Sequence, residues 1–233
     1  MGWVSFTELA SMDCRGIMFD VTDGVSSPSL VCLPPQKFFE YEHDSRDHTL
    51  GRIGDKMVKL DGSLISTFLH KSQIRLKSKA SLDSQQVRLA ESCLYQNSQL
   101  RREIQSLAEQ GYTINFELTS PRNRIVIPYT IDQLTLLSIR SHITGEHLFG
   151  TRLAQFLQDK YPAMLANMVS YENCSNSVDT CEKHLQFIET IRQETTGEGY
   201  VVEIELNDGT SYLTKVKNSN FLQLEMKKKN PNL

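Results

Sequence analysis

The chain has 233 residues, 39% of them hydrophobic, which is enough to bury a substantial core in one large domain or a domain with a small appendage. Its formal net charge of -3 excludes a globally basic nucleic-acid binder, so a polyanion site has to be a local patch on a mildly acidic body. The five cysteines (Cys14, Cys32, Cys93, Cys174, Cys181) form neither a Cys-x-x-Cys pair nor a zinc ladder and are read as reduced thiols, a Cys174 to Cys181 disulfide being the alternative.

From the N-terminus, no basic region leads into an apolar signal core. Met1-Gly2 is followed by Phe6 where a myristoylation start wants Ser or Thr. Arg15 to Val21 alternates up to the Asp23-Gly24 turn, and Ser29 to Leu33 resumes the pattern, which predicts a hairpin closed by Pro34-Pro35. Lys37 to Tyr41 leads into a polar stretch, Glu42 to Asp55, read as a surface loop. Val58 to Leu69 and Ile74 to Lys79 read as strands. The spacing of Val87, Leu89, Leu94, Leu100, Ile104 and Leu107 predicts one helix over Ser81 to Gln110, ended by Gly111. Tyr112 to Leu118, Ile125 to Ile127 and Leu134 to Ile139 read as consecutive strands. Helices are predicted at Arg152 to Tyr161 and Asp179 to Glu194. A strand over Tyr200 to Leu206 then turns through Asn207-Asp208-Gly209 into Tyr212 to Val216. The fold class is therefore α+β, with antiparallel sheets and flanking helices. No Gly-x-x-x-x-Gly-Lys loop and no Gly-x-Gly-x-x-Gly fingerprint occurs. No stretch is long and apolar enough to cross a bilayer.

Chemistry concentrates in charged residues on or beside strands. Lys59-Leu60-Asp61-Gly62-Ser63 has the form Lys-x-Asp-Gly-Ser: a lysine amine can attack a nucleoside triphosphate and expel pyrophosphate, and the glycine lets backbone approach a nucleotide. Lys215 and Lys217 alternate around Val216, so their ammonium groups leave one face of a strand, as a triphosphate would require. A solvated surface strand explains the same pair. Glu117 lies within a core-forming strand and Glu198 between two glycines, although a wet strand face and an ordinary turn explain these too.

The order of these pieces narrows the choice. Cys14-Arg15-Gly16, Lys37-Phe38-Phe39, Lys59 to Ser63, Lys77-Ser78-Lys79, Phe116-Glu117-Leu118, Glu198 to Val202 and Lys215-Val216-Lys217 together resemble the covalent nucleotidyltransferases, polynucleotide ligases and capping enzymes. Within them, the chain resembles the phage RNA ligase 1 family from about Cys14 to Lys217. The resemblance implies an ATP-grasp-like adenylation domain over 1–217, followed by a short basic tail, 218–233. It implies an ATP-dependent RNA ligase in which Lys59 forms a lysyl-AMP, with desolvation, Lys215, Lys217 and a metal favouring the neutral amine. Glu198 is then the carboxylate nearest a divalent ion, magnesium or manganese. Glu117 bonds the ribose and Gly62 lies near the sugar. Arg15, Lys37, Lys215 and Lys217 hold the triphosphate, and Lys79 adds a nucleotide or phosphate contact. The substrate implied is RNA with 5′-phosphate and 3′-hydroxyl ends, in RNA or tRNA repair, in a cytoplasm, that of the host if the chain is phage-encoded.

Two departures bear on substrate choice. Only 14 residues precede Arg15 and 16 follow Lys217, whereas the family usually carries more chain before and a helical domain after. A second chain or domain replacing the missing C-terminal region is therefore expected to matter. Lys71, Arg75, Lys77 and Lys79 form one basic cluster and Arg122 and Arg124 another, either able to meet phosphates; Phe38, Phe39 and Tyr41 could stack on a base. The alternatives are a DNA ligase or capping enzyme, disfavoured by Leu64 where those place arginine, a non-catalytic or partner-dependent remnant, and coincidental motifs on an ordinary α+β domain.

Overall fold

The computed structural model describes residues 12–175 and 181–230. In chain order the strands are β1 (Met18–Asp20), β2 (Ser29–Cys32), β3 (Arg52–Val58), β4 (Ser63–His70), β5 (Gln73–Ser78), β6 (Tyr112–Thr119), β7 (Gln133–Ser141), β8 (His147–Leu148), β9 (Tyr171–Asn173), β10 (Gly199–Glu205) and β11 (Ser211–Lys217). The helices are α1 (Gln85–Tyr95), α2 (Ser98–Glu109), α3 (Gly150–Leu157), α4 (Pro162–Ala166), α5 (Cys181–Gln193) and α6 (Ser219–Lys229). None of them is long and apolar enough to cross a membrane. Among the described residues Cys32, Cys93 and Cys174 form no disulfide.

The chain divides into two compact units. The first comprises Met1–Lys37, Gly62–Asn123 and Thr130–Met168. It holds the β1–β2 hairpin and a five-stranded antiparallel sheet in the order β5-β4-β6-β7-β8. Alternation along β6 and β7, with a register shift that skips Leu137, puts Ile114, Phe116, Leu118, Leu134, Leu136 and Ile139 into one core with Leu89, Leu94, Ile104 and Leu107 from α1 and α2. Each such side chain contributes roughly 1.5–3 kcal/mol of burial. The second unit, Phe38–Asp61, Arg124–Tyr129 and Val169–Leu233, holds the sheet β11-β10-β3-β9. Its smaller core gathers Ile53, Val202, Ile204, Val216, Ile188 and Ile191.

Several elements differ from the sequence expectation for local reasons. The helix expected over Ser81 to Gln110 is two, because Asn97 accepts the Leu100 N–H with its side chain and starts α2 afresh, a cap worth about 1 kcal/mol. Ile125 to Ile127 is not a strand. Its amides turn instead toward Asp61, as described below. The expected loop Glu42 to Asp55 ends early, since β3 begins at Arg52, and the expected strand from Val58 to Leu69 is interrupted by the lysine motif. The segment 218–233, read as a basic tail, contains α6, capped by the Asn218 side chain accepting the Phe221 N–H. The Asp179 and Thr180 start expected for the helix at Glu194 lies outside the described residues.

Histidines in both units are expected to make the fold acid-sensitive. In the second unit His48 Nε2 donates to the Tyr41 carbonyl, so Nδ1 is left to accept from the Tyr212 hydroxyl, and His184 Nε2 similarly meets the Tyr41 hydroxyl. In the first unit His147 Nε2 is buried with no hydrogen-bond partner among the described residues. Burial, with Arg140 and Arg152 nearby, pushes His147 down to about 3. Burial also lowers His48 and His184. A histidine depressed in the folded state binds fewer protons there than in the unfolded chain. Stability is thus fully present above about pH 6.5 and is lost as pH falls toward the folded values. Denaturant midpoints measured from pH 7.5 to 4 are expected to drop steadily. His147→Phe, which removes the unpartnered nitrogen, is expected to flatten part of that drop; an unchanged slope would contradict it.

Candidate active site

The lysine motif lies where the chain leaves β3 and enters β4, and its residues are held individually. In the second unit the Lys59 N–H donates to the Gly199 carbonyl at 2.9 Å, which extends the β3–β10 pairing by one residue and fixes the side chain's origin. Lys59 Nζ forms an ion pair with Glu198 Oε1 at 2.8 Å; the Lys59 side chain is 21% exposed and that of Glu198 only 5%. Burial pushes the Glu198 carboxyl above the usual carboxylate range, opposed by Lys59 and Lys217 and reinforced by Asp61. The site therefore holds a carboxylate of raised basicity against the one amine of the motif.

Asp61 explains why the motif carries an aspartate. Buried, it accepts the Val126 and Ile127 N–H groups on Oδ2, both at 2.7 Å, and its own N–H donates to the Tyr129 hydroxyl at 3.1 Å. The carboxylate thus satisfies two amides that would otherwise have paired as a strand, and fixes Arg124–Tyr129 beside the lysine. Asn218 does comparable work at the other end. Its amide nitrogen donates to the Thr196 and Gly197 carbonyls at 3.0 and 3.1 Å, its backbone N–H to the Glu198 carbonyl at 3.1 Å, and it caps α6. One fully buried asparagine ties the turn carrying Glu198 to the end of β11. Sequence reading missed it, the available signal being an Asn placed between a strand and an apolar-periodic segment.

Lys215 and Lys217 leave the same face of β11, on either side of the buried Val216. Glu40 meets both: Oε1 lies 3.9 Å from Lys215 Nζ and 3.2 Å from Lys217 Nζ. Glu225, on α6, is a further 3.2 Å partner of Lys217. Burial alone would lower Lys217, but the hydrogen bonds to Glu40 and Glu225 hold its ammonium above the ordinary lysine value. Neither glutamate was singled out from the sequence. Glu40 owes its place to the Lys215 N–H donating to the Phe39 carbonyl at 3.0 Å, which lays Phe39-Glu40 along the strand.

The remaining expected residues lie in the first unit. A Cβ on Gly62 would sit 2.3 Å from the Leu118 carbonyl oxygen and 3.1 Å from Glu117 Cγ, so only glycine allows β4 to start against Glu117, at the register Ser63 to Leu118. The half-buried Arg15 is lowered by burial. Its neighbour Gly16 packs against the Lys79 carbonyl. The Lys37 N–H donates to the Met12 carbonyl at 2.9 Å. The expected phosphate-facing surface needs correction: Lys77 is buried at 5% exposure, leaving Lys71, Arg75 and Lys79 exposed. Arg122 is paired with Asp132, and Tyr41 packs on His48 with centroids 4.3 Å apart, so it is not a base platform.

For a divalent ion the donor set is thin. Among the described residues no group of three His, Cys, Asp or Glu side chains could hold one. Glu198, the buried carboxylate beside Lys59, would supply one protein ligand to an ion held otherwise by the substrate's own phosphates, a usual magnesium arrangement.

A family model described as RNA ligase, of the phage RNA ligase 1 type, matches residues 13–222. The chain belongs to this RNA ligase family. A relative in Thermovibrio ammonificans named "Putative RNA ligase" is 26% identical over 179 residues, which are 76% of this chain and 46% of the relative. This family member thus spans less than half the length of that curated relative. Among solved structures it is similar to Naegleria gruberi RNA ligase. An apo variant of that protein superposes with a TM-score of 0.63 at 13% identity, covering 86% of this chain and 60% of the other. A variant with ATP and Mn gives 0.61 at 14% identity, covering 83% and 59%. A third, with AMP and Mn, gives 0.55 at 15%, covering 76% and 52%. At such identities the likeness carries the fold: mixed helix and antiparallel sheet of the nucleotidyltransferase-type ligases.

Proposed function

We propose that the chain is the adenylating part of an ATP-dependent RNA ligase, with Lys59 as the nucleophile that becomes lysyl-AMP. The observation that carries this is the 2.8 Å pair between Lys59 and the buried Glu198. It fixes the attacking amine and puts a carboxylate within reach to take its proton before attack. Neutral Nζ forms a bond to the α-phosphorus, the bond from that phosphorus to the bridging oxygen breaks, and pyrophosphate leaves. Lys215 and Lys217, with Arg15, Lys37 and Lys79, are assigned to the triphosphate, and Glu117 and Gly62 to the ribose. Glu198 would also hold a divalent ion, magnesium or manganese, that neutralises charge on the phosphates when bound. AMP then moves to an RNA 5′-phosphate, and a 3′-hydroxyl displaces it to seal the strand. Positioning and charge neutralisation supply most of the acceleration.

Residues 1–217 are proposed as the adenylation domain, with α6 appended. Broken tRNA as the RNA class, and a second chain or domain that completes RNA recognition, belong to the same proposal. ATP and magnesium are expected to add the mass of one AMP to the tryptic peptide containing Lys59. An unmodified peptide from folded protein would contradict the assignment.

Glu40 supplies a quantitative check on the lysines. Its carboxylate lies where phosphate oxygens are proposed to go and has to give way to them. Glu40→Gln keeps the shape and removes the competing charge, so affinity for ATP and pyrophosphate is expected to rise about three- to tenfold. Calorimetric titration checks this, and a tenfold loss would show that Glu40 itself serves the ligand.

A further inference from the structure

Lys77 stands out among the charged groups that the proposed chemistry leaves unused. It is a buried ammonium on β5. Its nitrogen donates to two backbone carbonyls, Gly16 at 2.9 Å and Lys79 at 3.3 Å. Burial pushes its pKa down, and the nearby Cys32 thiol only partly offsets this. Burying an ammonium against neutral carbonyls is an expensive way to fill space, and an apolar side chain of the same length would be at least as stable there. The contact does bring two otherwise separate segments together. Gly16 has φ +93°, and a Cβ on it would stand 2.9 Å from the Lys79 carbonyl oxygen and 3.0 Å from Lys77 Nζ. Arg15 directly precedes the first of these carbonyls and Lys79 carries the second. Both line or adjoin a cleft bordered by Gly16, Ile17, Lys77 and Lys79.

We infer that Lys77 is a positioning residue. It pins the Arg15-Gly16 turn to the end of β5, so that the Arg15 guanidinium and the Lys79 ammonium are presented together to one polyphosphate. The inference rests on the assignment of Arg15 and Lys79 to the nucleotide. Two cations held at a fixed separation repel each other, and without a pin each would relax into water. Holding them in advance of binding lowers the ordering cost of the bound state. The second cation pin of this unit supports the arrangement: Arg140, equally buried, donates to Asp13 Oδ1 at 2.5 Å and to the Pro34 carbonyl at 3.0 Å, fixing the chain just before Arg15.

The test compares Lys77→Met, which keeps the stem and deletes the donors, with Lys77→Arg, which restores donors. Amide hydrogen exchange is followed over residues 14–18 and 79–82, with β6 as internal reference. The steady-state constants for AMP uptake from ATP are measured on the same preparations. In Lys77→Met, exchange in both segments is expected to speed about tenfold while β6 and the melting temperature stay near wild type. The KM for ATP is expected to rise about tenfold with a smaller change in rate constant, and Lys77→Arg should recover part of it. Combining Lys77→Met with Arg15→Ala should cost less than the product of the single effects, because both act through one guanidinium. Unchanged exchange overturns the pin whether or not the chain takes up AMP. Faster exchange with a wild-type KM overturns the positioning role. A wild-type chain that takes up no AMP counts against the ligase assignment instead, and leaves the pin to be judged by exchange alone.

Discussion

Lys59→Ala is expected to abolish covalent AMP uptake, lowering it by at least about a thousandfold, since the proposed reaction assigns the attack on the α-phosphate to the Lys59 amine. Lys59→Arg should fail as completely: a guanidinium keeps its proton under all working conditions and cannot act as the nucleophile. The physical cost is also readable. Lys59 is the 2.8 Å partner of a carboxylate that is only 5% exposed, and removing it leaves that charge buried and unpaired. Glu198, already raised by burial, is expected to take up a proton in the variant, which limits the loss of stability to about 1–3 kcal/mol. Gel detection of labelled protein measures the first effect and denaturant unfolding the second. Substantial label on Lys59→Ala would remove Lys59 from the chemistry.

The second large effect is on folding. Gly199 opens β10 opposite Lys217 with φ +135°, and a Cβ there would lie 2.1 Å from the Val216 carbonyl oxygen and 2.9 Å from the Lys217 Cα. Both neighbours are backbone, so neither can rotate away. Gly199→Ala therefore has to open the β10–β11 pair at its end, at a cost of about 3 kcal/mol from strain and overpacking together. The same shift moves Glu198 and Lys217, and it weakens the Lys59 N–H bond to the Gly199 carbonyl. The variant is expected to unfold at lower denaturant and, where it remains folded, to take up AMP at least tenfold more slowly. Wild-type stability would mean that β11 yields more readily than its pairing suggests.

How much of this was legible in the sequence depends on whether a residue's partner is near in the chain. The Asn207-Asp208-Gly209 turn, with φ +83° at Gly209, and the strands either side of it follow from local chemistry. So does the face shared by Lys215 and Lys217, because strand alternation alone sets it. Asp61 was visible as a motif letter, but its work on Val126 and Ile127 was not: two apolar β-branched residues read as a strand until a distant carboxylate claims their amides. The same limit hid Asn218, Glu40 and Glu225, whose roles arise from what lies opposite them. Lys77 misled in the other direction. A lysine between Arg75 and Lys79 reads as part of a basic surface, yet the carbonyls of Gly16 and Lys79 turn it inward. The break between α1 and α2 was readable in principle from the Asn97-Ser98 cap, but apolar spacing runs through that cap without interruption and hid it.

The most direct measurement is incubation of the wild-type chain and Lys59→Ala with α-phosphate-labelled ATP and magnesium, followed by a denaturing gel and a chase with 5′-phosphorylated RNA or DNA. Label that forms only when Lys59 is present and then moves preferentially to RNA is the expected result. A folded, soluble wild-type chain that takes up no label, or label that persists without Lys59, would contradict the proposed ligase chemistry.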